Sequence, residues 1–194
     1  MNLSERHISV LSAFFPEAEA RTATEIQERC GYSHERVHSA LKELEEERII
    51  TSKPAGKTLL YSVRDFGAAY IAYAQATLKK KEEFSDKYSN LVPVLDEFYK
   101  TTRPDLLLVF GSYARLQPTK NSDLDVLCVN PKKGQPERGA AEIGHRYGIK
   151  LAPVEMPSEE FPKIREDNPE LWKSIKLEGI IWKGNEFFYD QVYG

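Results

Sequence analysis

The stretch Phe110-Gly111-Ser112-Tyr113-Ala114-Arg115, followed by Asp123-Leu124-Asp125, constrains this chain more than any other. Ten residues separate Ser112 from Asp123. An apolar run, Leu106-Leu107-Leu108-Val109-Phe110, leads into the Gly-Ser pair, and a second, Val126-Leu127-Cys128-Val129, leaves the acidic pair. The order predicts a strand, a tight turn, a short helix over 112–116 and a second strand that opens on two carboxylates.

Side chains at i and i+2 of a strand point the same way. Asp123 and Asp125 therefore share a face, with Cα atoms roughly 6.5–7 Å apart. Two like charges this close repel, and a hard divalent cation such as Mg²⁺ relieves the repulsion. A pair of such ions would stabilise both the attacking and the leaving oxygen in phosphoryl-type transfer. The competing reading is a solvated Ser-Asp-x-Asp loop, or a helix cap at Ser122 or Asp123. Gly111 lets backbone approach a phosphate, the following helix start offers unpaired N–H groups, and Ser112 adds a hydroxyl. The competing reading is an ordinary strand-to-helix turn with Ser as N-cap. Joined at this spacing between two apolar strands, the two features favour the phosphate-and-metal reading.

This pattern resembles the signature of the DNA polymerase β-like nucleotidyltransferase superfamily, most closely its minimal nucleotidyltransferase branch. Leu177-Glu178-Gly179-Ile180-Ile181 resembles the close of such domains, so the resemblance covers about residues 91–183. It implies an α/β (α+β) domain with a short mixed sheet and helices packed mainly on one side. It also implies transfer of a nucleoside monophosphate, AMP from ATP, to a protein or nucleic-acid acceptor, with release of pyrophosphate. Asp123 and Asp125 would hold Mg²⁺ or Mn²⁺, and Gly111, Ser112, Arg115 and Ser122 would bind the nucleotide. For Arg115, as for Lys120, a solvated surface role is an equal alternative. Many relatives carry Gly where this chain has Leu116. They also carry a third carboxylate on a later strand, expected here over 149–156. Ala152 is nearest the expected place, and Glu155, the segment's only carboxylate, is the candidate, against a solvated strand end. Relatives of this size often add AMP to a toxin partner as antitoxins. The runner-up is a nucleotide-responsive transcription regulator with a degenerate catalytic site, and a third reading is an interaction module in which neither site works.

Residues 1–65 carry a separate pattern. Ile8, Val10, Leu11, Phe14 and Phe15 mark a first helix that begins at Ser4, and 22–30 form a second. Gly31-Tyr32-Ser33 is a turn, Ser33 caps a third helix, and 49–53 pairs with 58–63 around a Pro54-Ala55-Gly56-Lys57 turn. Three helices and a hairpin in this order resemble a winged helix-turn-helix domain. The third helix would offer Arg36, His38 and Lys42 to DNA, with His34 beside them, and the wing Lys53 and Lys57. Nine Lys/Arg against eleven Asp/Glu in 1–65, with Glu43, Glu45, Glu46 and Glu47 in one helix half, is a poor balance for phosphate contact. A winged helix used for dimerisation or protein contact is the alternative. Residues 66–90 read as a connecting helix, apolar almost all round at first, which suits packing against both domains or a homodimer partner. Lys79-Lys80-Lys81 reads as a solvated run, with phosphate contact the alternative. The domain from 91 to 194 ends in an aromatic tail expected to pack back or to bind a partner.

The 194 residues suit two small domains, and 41% hydrophobic content supports packed cores without a membrane-spanning tract. Cys30 and Cys128 read as reduced, and the first residues lack a signal-peptide profile, so a cytoplasmic location is expected. A net charge of −3 suggests no strong overall affinity for nucleic acid.

Overall fold

The computed structural model describes residues 3–194. The chain divides into two compact units. One runs to Ala76 and includes Tyr193 and Gly194, and the other spans Thr77–Val192.

The first unit contains α1 (Glu5–Ser12), β1 (Arg21–Thr22), α2 (Ala23–Cys30), α3 (His34–Glu46), β2 (Ile50–Ala55), β3 (Thr58–Val63) and the start of α4 (Phe66–Lys87). This is a winged helix-turn-helix. Its antiparallel sheet has the order β1-β3-β2. Thr22 and Glu25 form a capping box that starts α2, and Gly31 ends it in the left-handed region at φ 70°. Val10, Leu11, Ile26, Val37, Leu41 and Leu44 are buried at the helical spacing of their elements, and Phe14 is buried in the turn after α1, which ends at Ser12 short of the expected Phe14 and Phe15. Tyr193 stacks on Phe66, meets Phe15 and Tyr73 edge-on, and donates its hydroxyl to the Pro16 carbonyl at 2.5 Å.

Three local expectations change here. Ser33 precedes α3 in extended geometry but makes no side-chain cap bond. Pro54 lies inside β2 opposite Leu59, not in the turn, because β2 is an edge strand where a missing N–H costs no ladder bond. The two-residue β1 escapes sequence reading because it is too short to show alternation.

The second unit continues α4, then a 3-10 turn at Ser89–Leu91, α5 (Val92–Thr102), β4 (Leu106–Val109), α6 (Gly111–Ala114), β5 (Leu124–Val129), α7 (Pro136–Tyr147) and β6 (Leu151–Met156). A second 3-10 turn at Phe161–Lys163, α8 (Ile164–Asp167), α9 (Pro169–Glu178), β7 (Ile180–Lys183) and α10 (Asn185–Tyr193), whose last residue belongs to the first unit, complete it. The sheet has the order β6-β5-β4-β7; β4 is antiparallel to both its neighbours and β5 is parallel to β6. Leu107, Val109, Leu124, Val126 and Cys128 pack with Phe84, Leu95, Phe98 and Ile143. The other face is closed as well. Leu106, Leu108 and Leu127 are buried, and Gly179 passes so near Leu108 that a Cβ would come within 2.9 Å of its side chain.

Two of the three lysines in the basic run of α4 are anchored within the second unit, while Lys79 is exposed. Lys80 donates to the Leu177 carbonyl at 2.6 Å, and Lys81 donates to the Trp182 carbonyl at 2.9 Å with its ammonium over the indole ring. Burial, with Lys183 nearby, lowers the Lys81 pKa.

Candidate active site

Strand β5 sets the site. Leu124 and Val126 are buried in the core, each stabilising that register by on the order of 1.5–3 kcal/mol. The alternate face is thereby committed to Asp123 and Asp125. The turn after β4 meets this face. Its Phe110 amide donates to the Asp125 carbonyl at 3.0 Å. Gly111 follows at φ 71°, and a Cβ there would lie 2.1 Å from Asp125 Oδ2. Any side chain at 111 would occupy the space of the carboxylate. Ser112 is half-buried in α6, a helix of only four residues, and the amides at its start have no intrahelical acceptor.

Leu116, where a glycine was expected from the resemblance, adopts φ 59°. That left-handed conformation is strained for a branched apolar residue. Packing of its side chain against the core and a 2.8 Å bond from Lys87 Nζ to its carbonyl hold it there.

Burial pushes the Asp125 pKa up, and the Asp123 charge pushes it further, against opposing pulls from Arg115 and Lys150. Lys150, which sequence reading did not single out, donates to Asp123 Oδ2 at 2.5 Å. The signal was the parallel pairing of β5 with β6, which no local pattern reveals. Arg115 pairs with Glu178 Oε2 at 3.2 Å, and Ser174 Oγ donates to the same oxygen at 3.1 Å. The Ser122 hydroxyl accepts the Thr119 amide at 2.8 Å, closing the loop ahead of β5.

The structure does not bring Glu155 to the pair. Register sets Ala152 opposite Asp125 and Glu155 opposite Cys128, so alternation turns Glu155 to the other face. Among the described residues, no group of three or more His, Cys, Asp or Glu side chains is placed to hold a metal ion. The Asp123 and Asp125 carboxylates, the latter given its place by Gly111, would suit a hard, oxygen-ligated cation. Cys128 is fully buried, and burial pushes its thiol up to about 11, so it is no nucleophile.

On the winged unit, Arg36, His38, Lys42, Lys53 and Lys57 are all exposed. The Arg36 guanidinium lies 4.3 Å over the Tyr32 ring, and His34 and His38 face each other at 4.1 Å. Lys42 pairs loosely with Glu46 at 3.9 Å. Glu43 is turned toward Arg6, His7 and Ser39, and Glu45 accepts the Ser52 amide and hydroxyl. Two of the four glutamates that weigh against phosphate contact are thus engaged within the unit.

Residues 88–181 match the family model of the nucleotidyltransferase domain, which supports placing this region in the nucleotidyltransferase superfamily. None of the curated proteins matches the chain. Two solved structures are similar. One is Lactococcus lactis ZitR, a zinc-responsive MarR family member, at 26% identity over 52% of this chain and 74% of that one, with a TM-score of 0.35. The other is a single-site mutant of Lactococcus lactis ZitR at 24% identity over 52% and 73%, also with a TM-score of 0.35. Among the described residues, no helix is long and apolar enough to cross a membrane.

Proposed function

We propose that the Thr77–Val192 unit binds a nucleoside triphosphate, ATP, with a divalent cation (Mg²⁺ or Mn²⁺), and transfers its nucleoside monophosphate to a protein or nucleic-acid acceptor. The packing of Gly111 against Asp125 carries this reading. It joins the turn that would cradle phosphate to the strand that carries both carboxylates, inside the region that matches the nucleotidyltransferase domain. An acceptor oxygen bonds to the α-phosphorus, the bond from that phosphorus to the bridging oxygen breaks, and pyrophosphate leaves with the electron pair while the acceptor's proton passes to solvent. A cation held by Asp123 and Asp125 supplies charge stabilisation at the phosphates. Gly111 and Ser112 position the triphosphate through backbone and hydroxyl, and Arg115 offers positive charge nearby once it leaves Glu178. An antitoxin role, with a toxin as acceptor, follows from the resemblance described for the sequence.

The test supplies α-labelled ATP and Mg²⁺ together with the products of neighbouring genes as acceptors. Label should appear on protein or RNA, and Asp123→Asn with Asp125→Asn should cut transfer at least ~100-fold and abolish nucleotide binding. Unchanged nucleotide affinity in the double variant would sink the site.

One observation favours a second reading. Ala152, not a carboxylate, stands opposite Asp125. A site so reduced suits a nucleotide-responsive regulator whose winged helix contacts DNA. Nucleotide that binds without transfer, yet changes retention of promoter DNA, would favour it.

A further inference from the structure

We infer that Lys150 supplies the positive charge that a second metal ion would carry, so that the site takes a single divalent cation with its nucleotide. This rests on the nucleotide-site reading above. Strand pairing creates the juxtaposition. The Leu124 amide donates to the Lys150 carbonyl at 2.8 Å, and the parallel register continues through Leu124–Leu151 and Asp125–Ala152. Alternation then places Asp123, Asp125, Lys150 and Ala152 on one face. That face presents two carboxylates, one ammonium and one methyl group.

Two dications about 3.5–4 Å apart repel strongly and need several anionic ligands between them. This face has two, and one is already neutralised: Lys150 Nζ sits 2.5 Å from Asp123 Oδ2. Asp125 has no ion-pair partner within bonding distance among the described residues, which leaves it, with the second Asp123 oxygen, to one cation. The Lys150 side chain is 76% exposed on a flexible stem, so its ammonium, with three donors, can bond a phosphate oxygen of an entering nucleotide while keeping its bond to Asp123. A lysine ammonium serves there as a point charge.

The experiment counts Mn²⁺ by electron paramagnetic resonance against bound α,β-methylene-ATP, using the full chain. The wild type should bind one Mn²⁺ per nucleotide. Lys150→Met should weaken nucleotide binding about tenfold, while Lys150→Arg, which keeps the charge, should stay within about threefold of wild type. Lys150→Met combined with Ala152→Asp should take a second Mn²⁺. Two Mn²⁺ per nucleotide in the wild type overturn the inference. So does unchanged affinity in Lys150→Met, or a loss in Lys150→Arg as large as in Lys150→Met. A wild type that binds no nucleotide overturns the underlying site reading, and this inference with it.

Discussion

Gly111 and Asp125 constrain each other. The glycine sits at positive φ, where any other residue carries a backbone cost of about 1–2 kcal/mol, and a Cβ would also collide with the carboxylate. Gly111→Ala should therefore displace Asp125 and weaken Mg²⁺–ATP binding at least tenfold by calorimetry; full retention would show that the close approach has no bearing on the ligand. Asp125 makes a separate, pH-dependent prediction. Burial and the Asp123 charge raise its pKa above the ordinary 3.8, so the folded protein keeps this proton to higher pH than the unfolded chain. The stability tied to that proton is present at low pH and lost as pH rises through the raised value. Asp125→Asn should raise Tm at neutral pH and leave it unchanged near pH 3. Scanning calorimetry at both pH values checks this, and an equal gain at both would remove the electrostatic cause.

The segment between α1 and α2 is held by one carboxylate. Glu17 pairs with Arg29 and Arg21, and Arg29 also donates to the Ala13 carbonyl. Partial burial pushes its pKa up, but the Arg29 hydrogen bond and both guanidinium charges outweigh this and hold it at about 2, against an ordinary 4.5. A depressed carboxylate contributes stability above its unfolded value and loses it as pH falls toward the folded one. Glu17→Gln should lower the Tm of the winged unit by about 2–4 °C at pH 7, and the difference should vanish between about pH 4.5 and 2. Circular dichroism melts across that range give the answer; a constant difference would assign the effect to packing. Leu116 is a contrasting case, an element end where the apolar contact of one side chain holds a backbone conformation that glycine would adopt without strain.

At the level of the whole protein, two units of different chemistry share one chain, and the winged unit makes a prediction of its own. Its exposed cations lie on α3 and at the β2–β3 wing, while Glu43 and Glu45 are engaged internally. If the winged helix reads DNA, Arg36→Ala and Lys57→Ala should each weaken binding to promoter DNA and lower the salt-dependence slope by about one. Titrations by fluorescence anisotropy at several salt concentrations measure both. No binding at low salt would leave the winged helix to dimerisation or protein contact.

Much of this protein was legible without coordinates. The wing, the helices with apolar stripes and the two strands around Gly111 and Asp125 follow from periodicity and turn chemistry, which act within a few residues. Helix α7, with Pro136 at its start and Gly148 in the left-handed region past its end, and helix α9, with Pro169 at its start, carry their boundaries in their own residues. The pairing of β5 with β6 belongs to no local pattern, because a parallel register is set by how two strands and an intervening helix share a core. That register, and not the residue types, turned Glu155 away from Asp125, put Ala152 in front of it and laid Lys150 on Asp123. The sequence by itself determined two carboxylates on one strand face and a glycine turn before it. Only the tertiary structure decided which third charge joins them, since contacts between residues 27 positions apart depend on packing that no local rule encodes.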